Sequence, residues 1–137
     1  MSDPCDLFDL TGRVACVTGA SAGLGQRAAI VLAAAGAKVV GVARRAEALQ
    51  DWAAATGQNA AVVAADLSQR DQIKAIADQI AKPFGVPDIL VHAAGINTRE
   101  IADDVTDAGW DVTMNLNLAA PFFLSQALVP AMKARGW

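Results

Sequence analysis

The residues best suited to chemistry in this sequence are Thr18-Gly19-Ala20-Ser21-Ala22-Gly23-Leu24-Gly25. They form a cradle for an anion. Glycines reach backbone angles closed to other residues and let the main chain approach a pyrophosphate closely. The apolar run Val14-Ala15-Cys16-Val17 precedes the stretch. Ala28, Ile30, Val31, Leu32 and Ala34 follow at helical spacing, and Gly36 is placed to stop the helix. A strand, a glycine turn and a helix in this order aim unpartnered N–H groups and the positive end of the helix dipole at one point. That is the arrangement for holding the phosphates of a dinucleotide. Gly19, Ser21, Ala22, Gly23, Leu24 and Gly25 are the candidate contacts.

Charge at the end of the next apolar run bears on which dinucleotide. An acidic residue there would pair with the ribose hydroxyls of NAD. Ala43 stands at that position, followed by Arg44 and Arg45. A guanidinium fits a 2′-phosphate by charge and by its planar fork. NADP is therefore preferred, with NAD as the alternative; the plainer reading is two solvated arginines. Asp66 and Leu67 close a third apolar run, where a carboxylate also suits a helix entry. His92 is the sole histidine and reads as a strand-end residue satisfied by backbone groups rather than as a catalyst. Asn117 lies inside a helical pattern, where Asn is unfavourable; this suggests either a special role or a satisfied buried amide.

A framework must bring these residues together. Strands are expected at 13–18, 37–43, 60–65 and 88–93. Helices are expected from about Leu24 to Ala35, and from Ala46 to Thr56 with Gly57 closing. Ser68 and Asp71 resemble a capping box for a third helix, which puts Ile73, Ile76, Ala77 and Ile80 on one face and ends at Pro83 and Gly85. After a polar loop at 97–106, Thr106 caps a helix over Asp107–Leu116. Asn117 to about Ala134 continues helically, with Pro121 in a new first turn. Phe8 and Leu10 are expected to tuck against the sheet, and Thr11-Gly12 to turn. The alternation predicts an α/β fold: a Rossmann-type, doubly wound parallel sheet of order 3-2-1-4, in one domain over 1–137. The crevice then falls at the carboxyl ends of strands 1 and 4.

The order Thr-Gly, three residues, Gly, one residue, Gly resembles the cofactor loop of the short-chain dehydrogenase/reductase family, T-G-x-x-x-G-x-G. The resemblance runs from Leu10 to Trp137. It implies an NAD(P)-dependent oxidoreductase that moves a hydride between nicotinamide and a small alcohol or carbonyl substrate. In that family an Arg at the Arg44 position goes with NADP, and the Asp66-Leu67 pair contacts the adenine. His92-Ala93-Ala94-Gly95 stands where the family has N-N-A-G, so Ala93, Ala94 and Gly95 would pass close to the cofactor. Trp110, Asn117-Leu118 and Phe122 match a W…N-L…F segment, which points to Asn117 as the active-site Asn that holds a water in a proton relay. The stretch Trp110–Gln126 is similar to members that act on sugar acids, such as gluconate or deoxygluconate dehydrogenases. The family also implies a homo-oligomer, a dimer or tetramer, packed through 107–134.

The family places a Ser after a fifth strand and a Tyr-x-x-x-Lys on the next helix. The sequence has no Tyr and stops before a fifth strand. The expectation is thus a cofactor-binding half, inactive alone, with Ile89-Leu90-Val91 as a bare apolar edge. The alternatives are a stand-alone nucleotide-binding module or pseudoenzyme, and a half-domain completed by another chain. Composition narrows the partners further. The 137 residues are 54% hydrophobic with a net charge of −3, which supports a sizeable core and argues against nucleic acid. Cys5 and Cys16 suggest neither a disulfide framework nor a metal site, in keeping with a reducing cytoplasm. Met1-Ser2-Asp3-Pro4 does not read as a signal peptide, and no uninterrupted apolar run nears the ~20 residues of a membrane span.

Overall fold

Alternate residues of the central strands feed opposite sides of one parallel sheet. β1 (Val14–Thr18) is buried along its whole length. Its Ala15 and Val17 join Val39, Ala29, Leu49 and Trp52 on one face. Cys16 joins Val40, Val42, Ile73, Ile76, Ile80, Leu124 and Leu128 on the other. This is the two-sided burial that makes parallel strands apolar throughout. The computed structural model describes residues 7–136; positions 1–6, Cys5 among them, and Trp137 lie outside the described residues.

β2 (Lys38–Ala43), β3 (Ala60–Ala64) and β4 (Ile89–His92) complete a sheet of order β3-β2-β1-β4, all parallel. Thr18 is level with Val42 on one side and with His92 on the other. The ends of three strands therefore meet at one residue. α1 (Gly23–Ala34) and α2 (Ala46–Thr56) cover one face; α3 (Ile73–Ala81) and α5 (Ala120–Arg135) cover the other. α4 (Asp107–Met114) leads into α5 through a π-helical turn, Asn115–Ala119. Burying side chains such as Ile80 and Leu124 contributes about 1.5–3 kcal/mol each.

The predicted α2 matches from first residue to last, and the four predicted α3 core residues are its buried ones. Thr106 caps α4 by accepting the Gly109 N–H at 3.0 Å. Three expectations are corrected. No capping box forms at Ser68. The Asp66 carboxylate, two residues away, takes both the Ser68 N–H (3.0 Å) and its hydroxyl (2.8 Å), and a 3₁₀ turn, Arg70–Gln72, intervenes before α3. Phe8 is exposed; only Leu10 packs, its N–H donating to Ala35 O at 2.7 Å. The stretch 115–119 winds as a π-turn rather than as a continuing α-helix.

β4 is the edge strand among the described residues, with Ile89, Leu90 and Val91 half-buried by the two cores. Its start is anchored. Asp88 accepts the Val14 N–H at 2.9 Å and pairs with Arg135 at 3.1 Å, while Arg135 also donates to Val86 O and Pro87 O. The helical stretch Asp107–Arg135 is, by length and composition, long and apolar enough to cross a membrane. Here its Ala120, Leu124 and Leu128 are buried in the core beside α3.

Candidate functional site

A cleft of about 480 Å³ opens at the carboxyl ends of the strands. The β1–α1 turn supplies Gly19, Ser21 and Ala22. Arg44 and Arg45 follow β2, Asp66 and Leu67 follow β3, and Ala93, Ala94 and Gly95 follow β4. The remaining predicted residues of the glycine turn do not line the cleft. Gly25 is buried behind it, Gly23 is exposed, and Leu24 stands 88% exposed at the start of α1. Asn117 lies next to the lining residue Leu116.

Two glycines explain how tightly this corner is built. Gly19 has φ +70, and a Cβ on it would sit 2.8 Å from the Ala93 carbonyl and the Ala94 nitrogen. A Cβ on Gly25 would run into the Gly19 carbonyl. The first turn of α1 can therefore press against the end of β1.

The β4 wall is held differently. Thr18 is 2% exposed, and its Oγ1 accepts the N–H groups of both Ala93 and Ala94 at 3.1 Å. Thr18 opens the glycine stretch but is not among the candidate contacts read from the sequence; its hold on Ala93 and Ala94 is what the structure adds. Asn117 bonds the Ile96 backbone twice: Oδ1 accepts its N–H and Nδ2 donates to its carbonyl, each at 2.8 Å. The side-chain amide is thus engaged with the loop after β4. Ala120 N–H reaches back to Asn115 O, so the turn around Asn117 leaves the ordinary i→i−4 ladder. Beyond Ile96, Arg99 is the one non-glycine residue with positive φ among the described residues (φ 57), and Asn97 Oδ1 accepts its N–H at 2.8 Å.

The charged lining residues are Arg44, Arg45 and Asp66. Burial pushes the Asp66 carboxyl up, but the Ser68 hydroxyl and N–H, the Arg44 charge and Gln69 outweigh it and hold the group below its ordinary pKa. Asp66 is therefore an acceptor near neutral pH. Arg45 donates to Ser21 Oγ at 3.3 Å, which brings a guanidinium to the glycine turn. His92 departs from the expected backbone partner: its Nε2 lies 2.9 Å from Ser125 Oγ on α5. Partial burial of the ring lowers its pKa. Among the described residues no group of three His, Cys, Asp or Glu could hold a metal ion.

The family model described as short chain dehydrogenase matches residues 13–137. The chain belongs to this family. It is 40% identical over 131 residues to the 2-dehydro-3-deoxy-D-gluconate 5-dehydrogenase of Escherichia coli (strain K12), over 94% of this chain and 51% of that protein. It is 39% identical over 139 residues to the gluconate 5-dehydrogenase of Gluconobacter oxydans (strain 621H), over 99% of this chain and 54% of that protein. Among solved structures, L-sorbose reductase from Gluconobacter frateurii, complexed with NADPH and L-sorbose, superposes with a TM-score of 0.87 at 32% identity, covering 94% of this chain and 51% of that one. A metagenomic short-chain oxidoreductase in complex with NADP gives a TM-score of 0.85 at 39% identity, covering 92% and 59%. The chain spans about half the length of the curated relatives it matches. For a short-chain dehydrogenase, the corner built by Gly19, Gly25 and Thr18 fits a bound dinucleotide: a Cβ at either glycine would collide with the backbone that forms it.

Proposed function

We propose that this chain is the cofactor-binding part of an NADP-dependent oxidoreductase acting on a small alcohol or carbonyl substrate. The observation that carries the reading is the single cleft that gathers the glycine turn, both arginines, Asp66 and the Ala93–Gly95 loop. Neighbours solved with NADPH and with NADP support the cofactor. When bound, the nicotinamide group donates or accepts the hydride. Every other task belongs to side chains and backbone. N–H groups of the glycine turn, at Ser21 and Ala22 where it lines the cleft, would receive the pyrophosphate. Arg44 and Arg45 receive the 2′-phosphate, while Asp66 and Leu67 border the adenine. Ala93, Ala94 and Gly95 give the cofactor a flat backbone surface.

Asn117 stands at the reacting end, where it fixes Ile96 and lies in the turn whose irregular winding frees backbone carbonyls for a water. The sequence has no tyrosine, so the phenolic proton donor used in this family is not among these residues. The chain alone binds cofactor without turnover on this reading. A sugar acid is the substrate class, by analogy with the gluconate-type relatives. The exposed Trp110, Leu118 and Phe122 on α4, the π-turn and α5 offer the contact of a homo-oligomer.

The test is a fluorescence titration of the chain with NADPH and with NADH. Saturable binding that favours NADPH is expected. Failure to bind either nucleotide would overturn the reading. Equal binding of both would overturn the assignment of Arg44 and Arg45.

A further inference from the structure

We propose that His92 and Ser125 form a positioning pair that clamps the Ala93–Gly95 wall of the cofactor cleft from the α5 side. The inference rests on the cofactor-binding reading above and adds a residue pair to it. His92 ends β4 and lies in register with Thr18. Thr18 holds the next two residues by their N–H groups. Those bonds secure the loop to β1. They do not tie the loop to α5, whose Ala120, Pro121 and Leu124 lie beside Thr18 and His92. The His92–Ser125 contact, 2.9 Å between Nε2 and Oγ, does so across a sequence separation of 33 residues.

The surroundings make the contact a defined anchor. Ser125 follows Leu124, 1% exposed, and precedes Leu128, 3% exposed, so its place on α5 is set by the core. A small closed gap beside the imidazole is lined by Thr18, Leu67, Leu116, Pro121 and Leu124. None of these carries a charge; the imidazole is partly solvent-exposed, and the Ser125 hydroxyl is the protein group within hydrogen-bond distance of Nε2. The pair therefore depends on a hydrogen bond in which either group can donate. A side chain shorter than His at position 92 would not span from the strand end to α5. An aliphatic one would leave the hydroxyl to water and release the strand end from α5.

The experiment uses the full chain, wild type and as His92→Leu, Ser125→Ala, the double variant and His92→Gln. Gln places an amide nitrogen near the position of Nε2 and keeps a donor for Ser125. Three quantities are read: the NADPH dissociation constant, amide exchange at Ala93 and Ala94, and the ¹⁵N resonances of His92, unambiguous because the sequence has one histidine.

His92→Leu and Ser125→Ala should each weaken NADPH about fivefold to tenfold and speed exchange at Ala93 and Ala94, with the double variant no worse than either. Ser125→Ala should shift the His92 Nε2 resonance, and His92→Gln should restore affinity. Unchanged dissociation constants with unchanged exchange would overturn the proposal. So would additive effects, or a Gln variant no better than Leu. A loss of thermal stability with affinity and exchange intact would reduce the pair to a packing contact and overturn it as well. If wild type fails to bind NADPH, the cofactor reading falls, and amide exchange still decides whether the pair holds the loop.

Discussion

The two walls of the cleft are built by opposite means. The β1–α1 wall depends on side chains that are absent: Gly19 and Gly25 leave no room for a Cβ. The β4 wall depends on side chains that are present: Thr18 holds Ala93 and Ala94, Asn117 holds Ile96, and His92 reaches Ser125. On the proposed reading the first wall brings N–H groups to an anion, so anything between backbone and ligand is harmful. The second must hold an irregular strand exit in one shape, so it needs partners for backbone groups that no longer pair in the sheet. The two walls should therefore respond to mutation differently. The first should fail through steric clash, and the second should fail in graded steps that a conservative residue can repair.

The largest effect is expected at the first wall. Gly19→Ala adds a Cβ 2.8 Å from the Ala93 carbonyl, at a backbone angle unfavourable to an L-residue. A stability loss of about 2 kcal/mol or more should accompany a fall in NADPH affinity of at least about 30-fold. Thermal denaturation and titration would show both. Normal affinity would mean that the two walls are not as closely apposed as the geometry indicates. Next comes Thr18→Val, which keeps the shape and removes the oxygen. Two part-buried N–H groups lose their acceptor, at a cost of about 1–3 kcal/mol. Thr18→Ser should restore most of it, and a Ser variant as damaged as Val would show that the methyl group, not the oxygen, holds this wall.

Smaller changes follow. Asn117→Ala removes two bonds to Ile96 at the surface and should cost about 1–2 kcal/mol, with faster amide exchange at Ile96 as its signature. Protection at Ile96 that survives the change would place the hold on this loop elsewhere. Arg44→Ala should lower the preference for NADPH over NADH about tenfold while leaving NADH binding nearly unchanged. An unchanged preference would shift the 2′-phosphate to Arg45, whose guanidinium already leans on Ser21.

The same contrast governs what could be read from the sequence. The first wall is local: glycines, a strand and a helix within a dozen residues, all visible as pattern. α2 and the buried face of α3 were legible for the same reason, because their signal repeats every turn. The second wall is not local. Thr18 meets Ala93 across 75 residues, and His92 meets Ser125 across 33, so those contacts exist only once strand register is fixed. The capping box at Ser68 failed because a nearer carboxylate, Asp66, competed for the same hydroxyl. The π-turn at Asn115–Ala119 has no periodic signal, since it is one extra residue accommodated between two ordinary helices. Asn117 was legible as unusual, yet its bidentate hold on Ile96 was not.

The smallest predicted effect probes the second wall by pH alone. Burial lowers the His92 pKa from its ordinary 6.5, so the unfolded chain takes up a proton before the folded one does. The contribution of His92 to stability is thus full above about pH 6.5 and declines as pH falls from there to the folded-state pKa. Asp66 and Glu100, whose carboxyls are held below their ordinary values, act in a separate and more acidic window: their contributions are present above the unfolded carboxylate pKa and fade as pH falls through the folded one. Melting temperatures compared at closely spaced pH values for wild type and His92→Gln should therefore lie close together above the histidine window and separate below it, with wild type falling further as pH drops. Parallel curves through that window would mean that the imidazole titrates as freely in the folded chain as in the unfolded one. The β4 wall would then owe its shape to Thr18 and Asn117 alone.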